Sequence, residues 1–172
     1  IDRATVPFDI ANPNSFSYAN SVVLYDSLGN AHPSMMYFTK IGDNQWEVRL
    51  ASGDDVAPEV GHLEFDNNGL LLNQTGLDAF TFSPGDGAAD MSIALDLAGT
   101  TQFANQFELT AMEQDGFVSG TLMQVAVTEN GSVVGTYSNE QQVILGTIAL
   151  ANFQSLEGLQ PVGDNAWIET QR

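Results

Sequence analysis

A chain of 172 residues in which 22 acidic side chains face only four basic ones carries a formal charge of −18. Binding to phosphate backbones or anionic headgroups needs clustered Lys and Arg, so nucleic acid and membrane surfaces are not expected partners. Cysteine is absent, which excludes disulfide staples and thiolate metal sites. No run reaches the roughly 18 to 20 apolar residues of a spanning helix, and the length suits one or two modest cores.

Taken in chain order, the signals are those of β-structure. Ser27-Leu28-Gly29-Asn30 and Gly42-Asp43-Asn44 supply Gly or Asn where a hairpin needs positive φ. Between Gln45 and Leu50, Trp46, Val48 and Leu50 fall on one face while Gln45, Glu47 and Arg49 fall on the other, as in a half-buried strand. A loop is expected from Ser52 to Pro58, a turn at Asn67-Asn68-Gly69, and a flexible acidic loop at Ser83-Pro84-Gly85-Asp86-Gly87. Met91 to Leu97 alternates again. Thr101 to Glu108 reads as a short turn of helix. Met123 to Thr128 alternates, Glu129-Asn130-Gly131 turns, and Val143 to Leu150, apolar on both faces, predicts a strand covered on each side. Gln154 to Leu159 reads as loop. The expectation is an all-β chain of two small antiparallel domains, sandwich-like or barrel-like, with strands in two blocks, about 21–97 and 116–170, joined by short connectors.

Candidate sites are few. His32 and His62 are the sole histidines and have no zinc-ligand spacing, so each reads as a surface or turn residue. Asp66-Asn67-Asn68-Gly69 has oxygen donors before a Gly but lacks the ligand spacing of a calcium loop, which favours a tight turn. Asp86 and Asp90 in the 83–90 stretch are a similar case. Gly116-Phe117-Val118-Ser119-Gly120 puts its serine one place late for a nucleophile elbow. Lys40 is not preceded by Gly, which excludes a phosphate loop. Asn73-Gln74-Thr75 and Asn130-Gly131-Ser132 match a glycosylation pattern, read as incidental. Trp46 and Trp167 are expected in core or interdomain packing rather than as sugar platforms. No catalytic, cofactor or metal residue is nominated, and no enzyme is expected.

Several blocks recur in order in one known family: Val23-Leu24-Tyr25-Asp26-Ser27-Leu28-Gly29-Asn30-Ala31-His32, Tyr37-Phe38, Asn44-Gln45-Trp46 and Leu97-Ala98-Gly99-Thr100-Thr101-Gln102-Phe103. They continue through Tyr137-Ser138-Asn139-Glu140-Gln141, Leu145-Gly146 and Ala149-Leu150-Ala151-Asn152-Phe153 to Glu157-Gly158-Leu159 and Gly163-Asp164-Asn165. In these blocks the chain resembles the bacterial flagellar hook proteins. The resemblance implies a structural subunit of the curved tube that passes motor torque to the filament, located outside the cell after export. It implies an outer β domain, residues 12–104, inserted into an inner β domain, here residues 1–11 and 105–172 and only partial. The chain begins at Ile1 and is expected to be a fragment, monomeric by itself and without the terminal helices that polymerise the family. Implied partners are other hook subunits and the rod, hook-cap and hook-filament junction proteins. A distal rod protein or a secreted adhesin-like module is the alternative reading. Glu140 stands where many relatives have Gly, which predicts that Asn139 carries any left-handed conformation in that turn.

Overall fold

A computed structural model describes residues 4–103, 107–149 and 158–170. These residues form thirteen β-strands and no α-helix. The chain divides into two compact units, 1–119 and 120–172. The first therefore carries residues 4–11 and 107–119, stretches that the sequence reading gives to the inner domain.

In the large unit, β1 (Tyr18–Tyr25), β2 (Ala31–Gly42), β3 (Gln45–Ser52), β5 (Gly61–Phe65) and β6 (Leu71–Thr75) lie side by side in that order. The short β4 (Asp55–Val56) pairs back onto β3. The pairings are antiparallel, as consecutive hairpins require. A second, two-stranded sheet joins β7 (Phe80–Phe82) to β8 (Met91–Ile93).

Alternation explains the core. Trp46, Val48 and Leu50 project from β3 to one face, Met36 and Phe38 from β2, Val22 and Leu24 from β1, and Leu63 and Phe65 from β5. Phe80, Phe82, Met91 and Leu77 pack with them, and Val48, Leu50 and Phe80 are completely buried. From Met91 to Leu97 the in-and-out pattern holds throughout, although only Met91 to Ile93 are laddered. Ile93, Leu95 and Leu97 pack against the core. On the opposite face of the sheet, Phe8 and Phe16 close over Tyr37 at 5.2 and 4.8 Å, and the Arg49 guanidinium lies 5.1 Å from the Phe8 ring centre.

The small unit holds a three-stranded antiparallel sheet with β10 (Ser132–Tyr137) between β9 (Leu122–Val127) and β11 (Gln142–Thr147). It also holds a hairpin of β12 (Leu159–Gly163) and β13 (Ala166–Glu169).

Four expectations are corrected. The 143–150 strand exists as β11, but it is an edge strand whose residues are exposed in this chain, so the double cover is not present; Leu150 lies outside the described residues. Apolar character on both faces of a strand records what it can pack against, not what is present. Thr101 does not begin a helical turn: it is extended and bridges antiparallel to Leu70, a tertiary pairing that overrides local propensity. Residues 104–106 of that stretch are outside the described set, as are residues 154–157 of the expected loop. Within Ser52 to Pro58, the expected loop contains β4, returned to β3 by a turn at Gly53. Trp167 is 61% exposed rather than packed in a core.

Candidate functional site

The blocks that carry the family resemblance come together as hydrogen-bonded locks on the turns of the large unit. At the β1–β2 turn the Asp26 carboxylate is almost fully enclosed. It accepts the backbone N–H groups of Leu28 and Asn30 at 2.8 and 2.9 Å, the Asn30 side-chain amide at 3.0 Å, and His32 Nε2 at 2.9 Å. Hydrogen bonding from His32, and then from Asn30 and Leu28, outweighs burial and holds this carboxyl well below the usual carboxylate range. His32 is thus the partner of a structural carboxylate, and the turn reading of this residue gains a purpose.

A second lock sits where the β2–β3 and β5–β6 turns meet the 97–103 segment. Trp46 Nε1 donates to Gln102 Oε1 at 2.5 Å, Gln102 Nε2 donates to Asn44 Oδ1 at 2.8 Å, and Asn44 Nδ2 reaches Asn67 Oδ1 at 3.3 Å. The Gln102 backbone N–H bonds to the Gly69 carbonyl at 2.8 Å. Trp46 is therefore a buried core residue with its one polar atom satisfied, as the packing expectation requires.

Asp66 is a turn residue. Its Oδ1 accepts the backbone N–H groups of Asn68 and Leu70 at 2.7 and 2.8 Å, and these bonds, led by Leu70, lower its pKa. Asp90 accepts a bond from Ser83 Oγ at 2.8 Å. Glu59 receives both the hydroxyl and the backbone N–H of Thr81 at 2.7 and 3.0 Å, which depress its pKa. Asp96, lowered by the Gln74 amide and then by the Ala98 backbone, ties the 95–98 segment to β6. No group of three or more His, Asp or Glu side chains is placed to hold a metal ion among the described residues.

His62 and Glu64 line a shallow depression of about 220 Å³ between β3, β5 and β6, with Gln45, Asn73 and Thr75 nearby. His62 and Glu64 alternate outward from β5, so the depression has neither a buried nucleophile nor an enclosed acid–base pair. Ser119 lies in an irregular segment rather than at a strand-to-helix elbow. Sequence reasoning did not single out Gln102, Asn44 or the Asp26–His32 pair as interacting. The signal available was their place inside the recurring blocks.

The comparisons agree with this picture. Residues 1–117 match the model of the flagellar basal body protein FlaE D2 domain. The flagellar hook protein FlgE of Escherichia coli K12 is 37% identical over 169 residues, covering 96% of this chain and 42% of that protein. FlgE of Helicobacter pylori 26695 is 32% identical over 173 residues, covering 90% of this chain and 24% of the relative. The crystal structure of the Helicobacter pylori flagellar hook protein FlgE2 aligns over 90% of this chain and 36% of its own at a TM-score of 0.52, with 21% identity, which speaks to the fold. The chain thus spans well under half the length of the relatives it matches. It belongs to the flagellar hook protein family, residues 1–117 being its FlaE D2 domain.

Proposed function

We propose that this chain is part of a flagellar hook subunit, a structural component of the curved tube that transmits motor torque, and that it works outside the cell. The observation that carries the reading is similarity to hook proteins that runs along 96% of the chain rather than through one motif. The large unit corresponds to the outer domain and the small unit to part of the inner domain. The exposed apolar residues of the small sheet, among them Val125, Val127, Val143 and Leu145, are suited to burial against the remainder of the parent protein.

The role needs no reaction, and none is assigned. What a joint needs from each subunit is a body that keeps its shape while its contacts with neighbours change. The locks at Asp26 and Gln102 supply that rigidity: they fix the turns by enclosed polar bonds, which are costly to break when a partner is left unsatisfied. Partners on this reading are other hook subunits, followed by the rod, cap and junction proteins. Electron microscopy of the full-length parent after purification and reassembly tests the proposal. Curved tubes with this domain projecting outward are expected, and a parent that forms no tubes would overturn it.

A further inference from the structure

The sequence holds two Asn-Gly pairs, Asn68-Gly69 and Asn130-Gly131, and both close turns of the same build. In the β5–β6 turn the Gly69 N–H bonds to the Asp66 carbonyl at 3.0 Å, and in the β9–β10 turn the Gly131 N–H bonds to the Thr128 carbonyl at 2.9 Å. Both glycines stand at φ +81°, and both asparagines are exposed. Glycine has no Cβ to obstruct its backbone nitrogen, so that nitrogen can attack the side-chain carbonyl carbon of the asparagine before it. The backbones match; the side chain that opens each turn does not.

At Asn130, Oδ1 accepts from the Thr128 hydroxyl, and the Ser132 N–H is directed at it at 3.3 Å. Thr128 Oγ1 also lies 3.1 Å from the Ser132 nitrogen and 3.0 Å from the Ser132 carbonyl, so the hydroxyl is held in place. Attack on Cγ drives negative charge onto Oδ1, where these donors already point, and fixed donors at a developing oxyanion lower the barrier. Holding Oδ1 on the N–H two residues ahead also brings Cγ towards the intervening Gly131 nitrogen. At Asn68 the polarity is reversed. Asp66 Oδ2 accepts from Asn68 Nδ2 at 3.2 Å, and a carboxylate beside the reacting carbon opposes the negative charge that must form there.

We propose that Asn130 is a self-modification site, at which the chain deamidates through a cyclic imide, and that Asp66 protects Asn68 from the same fate. The bond from the Gly131 nitrogen to Asn130 Cγ forms, the Cγ–Nδ2 bond breaks, and the hydrogen displaced from the Gly131 nitrogen leaves through solvent with Nδ2 as ammonia. Water then opens the imide. Cleavage at Cγ gives aspartate at position 130; cleavage at the backbone carbonyl gives isoaspartate, with the chain rerouted through the former side chain. Either product adds one negative charge to the β9–β10 turn. The triplet Asn130-Gly131-Ser132, a glycosylation pattern by sequence, thus acquires a different chemistry. The inference is independent of the hook reading.

Ageing the chain at neutral pH, followed by peptide mass spectrometry and isoaspartyl methyltransferase labelling, tests it. The urea-unfolded chain supplies a reference rate for each asparagine, free of turn geometry. The folded-to-unfolded rate ratio is expected to be about tenfold higher at Asn130 than at Asn68, and equal ratios overturn the proposal. Thr128→Val is expected to slow Asn130 about fivefold and leave Asn68 unchanged. An unchanged or faster Asn130 in that variant, the mark of deamidation through local opening, overturns the role of the hydroxyl and the proposal with it. Should Thr128→Val lose the hairpin, judged by amide exchange across β9 and β10, Asp66→Thr is read in its place: Asn68 accelerated about fivefold supports the proposal, and an unchanged Asn68 overturns it.

Discussion

Glu140 shows how one residue can carry strain that its neighbours avoid. Among the described residues, four hairpins share a three-residue loop in which the N–H of the fourth position bonds to the carbonyl of the first. They start at Asp26, Asp66, Thr128 and Tyr137. The fourth position is left-handed in each: Gly29, Gly69 and Gly131 at φ 78–81°, but Glu140 at 64°. The expectation that Asn139 would take this conformation is therefore corrected. The loop's hydrogen bonds place the left-handed residue one position later, whatever its side chain. A non-glycine residue in this region costs about 1–2 kcal/mol, partly offset by the extra freedom glycine brings to the unfolded chain. Glu140→Gly is expected to stabilise the small unit by up to about 1 kcal/mol, with Glu140→Asn in between, as read by amide exchange across β10 and β11. Destabilisation by the glycine would refute this. Asp26 makes the second case at this scale. Its folded pKa lies below the unfolded value of about 4. The unfolded state therefore binds its proton first as pH falls, so the contribution is present above about pH 4 and is lost below it. Urea midpoints measured from pH 7 to pH 2 should fall less steeply below pH 4 for Asp26→Asn than for the parent, whereas parallel curves would remove Asp26 from the acid response.

Elements are positioned by pieces of chain that are not themselves strands. The outer side of β6 is followed by the 95–102 segment through Gln74, which accepts the Leu97 N–H at 2.9 Å, and through the Leu70–Thr101 bridge. At the other end of the sheet β1 is met by Phe107 and Gly116. The β6 margin is thus occupied without a continuous ladder, which blunts edge-to-edge pairing there in a protein proposed to work at high local concentration. Gln102 is the strongest of these fastenings because its side chain serves the buried Trp46 N–H and Asn44 together. Gln102→Ala is expected to cost about 1–3 kcal/mol by leaving the indole donor unsatisfied, and Gln74→Ala, on the exposed rim, less than about 1 kcal/mol. Equal urea midpoints for the two variants would deny the Trp46 lock. Period-two patterning made β3 and the Met91–Leu97 alternation legible in the sequence, because one buried face imposes strict alternation on local residues; it also located β9, although that strand is exposed on both faces in this chain. The turns were legible for the same local reason. The Gln102 lock was not, since its partners stand 56 and 58 positions away and nothing in either segment alone announces the other. The status of β11 was misread because apolar composition reports the burial a strand can accept, while exposure depends on which other segments are there.

At the scale of the molecule the charge is unevenly shared. Residues 1–119 hold 17 of the 22 acidic side chains and three of the four basic ones, a formal −14 of the total −18. Of the basic residues, Arg49 is spent within the unit: its guanidinium lies over Phe8 and 3.3 Å from Glu47. If such units pack as neighbours on the outside of a tube, like charges face one another, and their repulsion acts over the Debye length. That length is about 30 Å at 10 mM salt, about 8 Å at physiological ionic strength and about 3 Å at 1 M. Exposed carboxylates several ångströms apart therefore pass from unscreened to screened across this range, whereas apolar contacts between subunits are weakened little. Assembly of the full-length parent is accordingly expected to strengthen with salt, its critical concentration falling several-fold between about 10 mM and 1 M sodium chloride in light-scattering or sedimentation assays. A variant in which exposed Asp54, Asp55 and Asp86 are changed to Asn should show a shallower dependence. Polymerisation indifferent to salt over that range would mean that the acidic faces do not meet, and that their charge serves the subunit's solubility rather than its assembly.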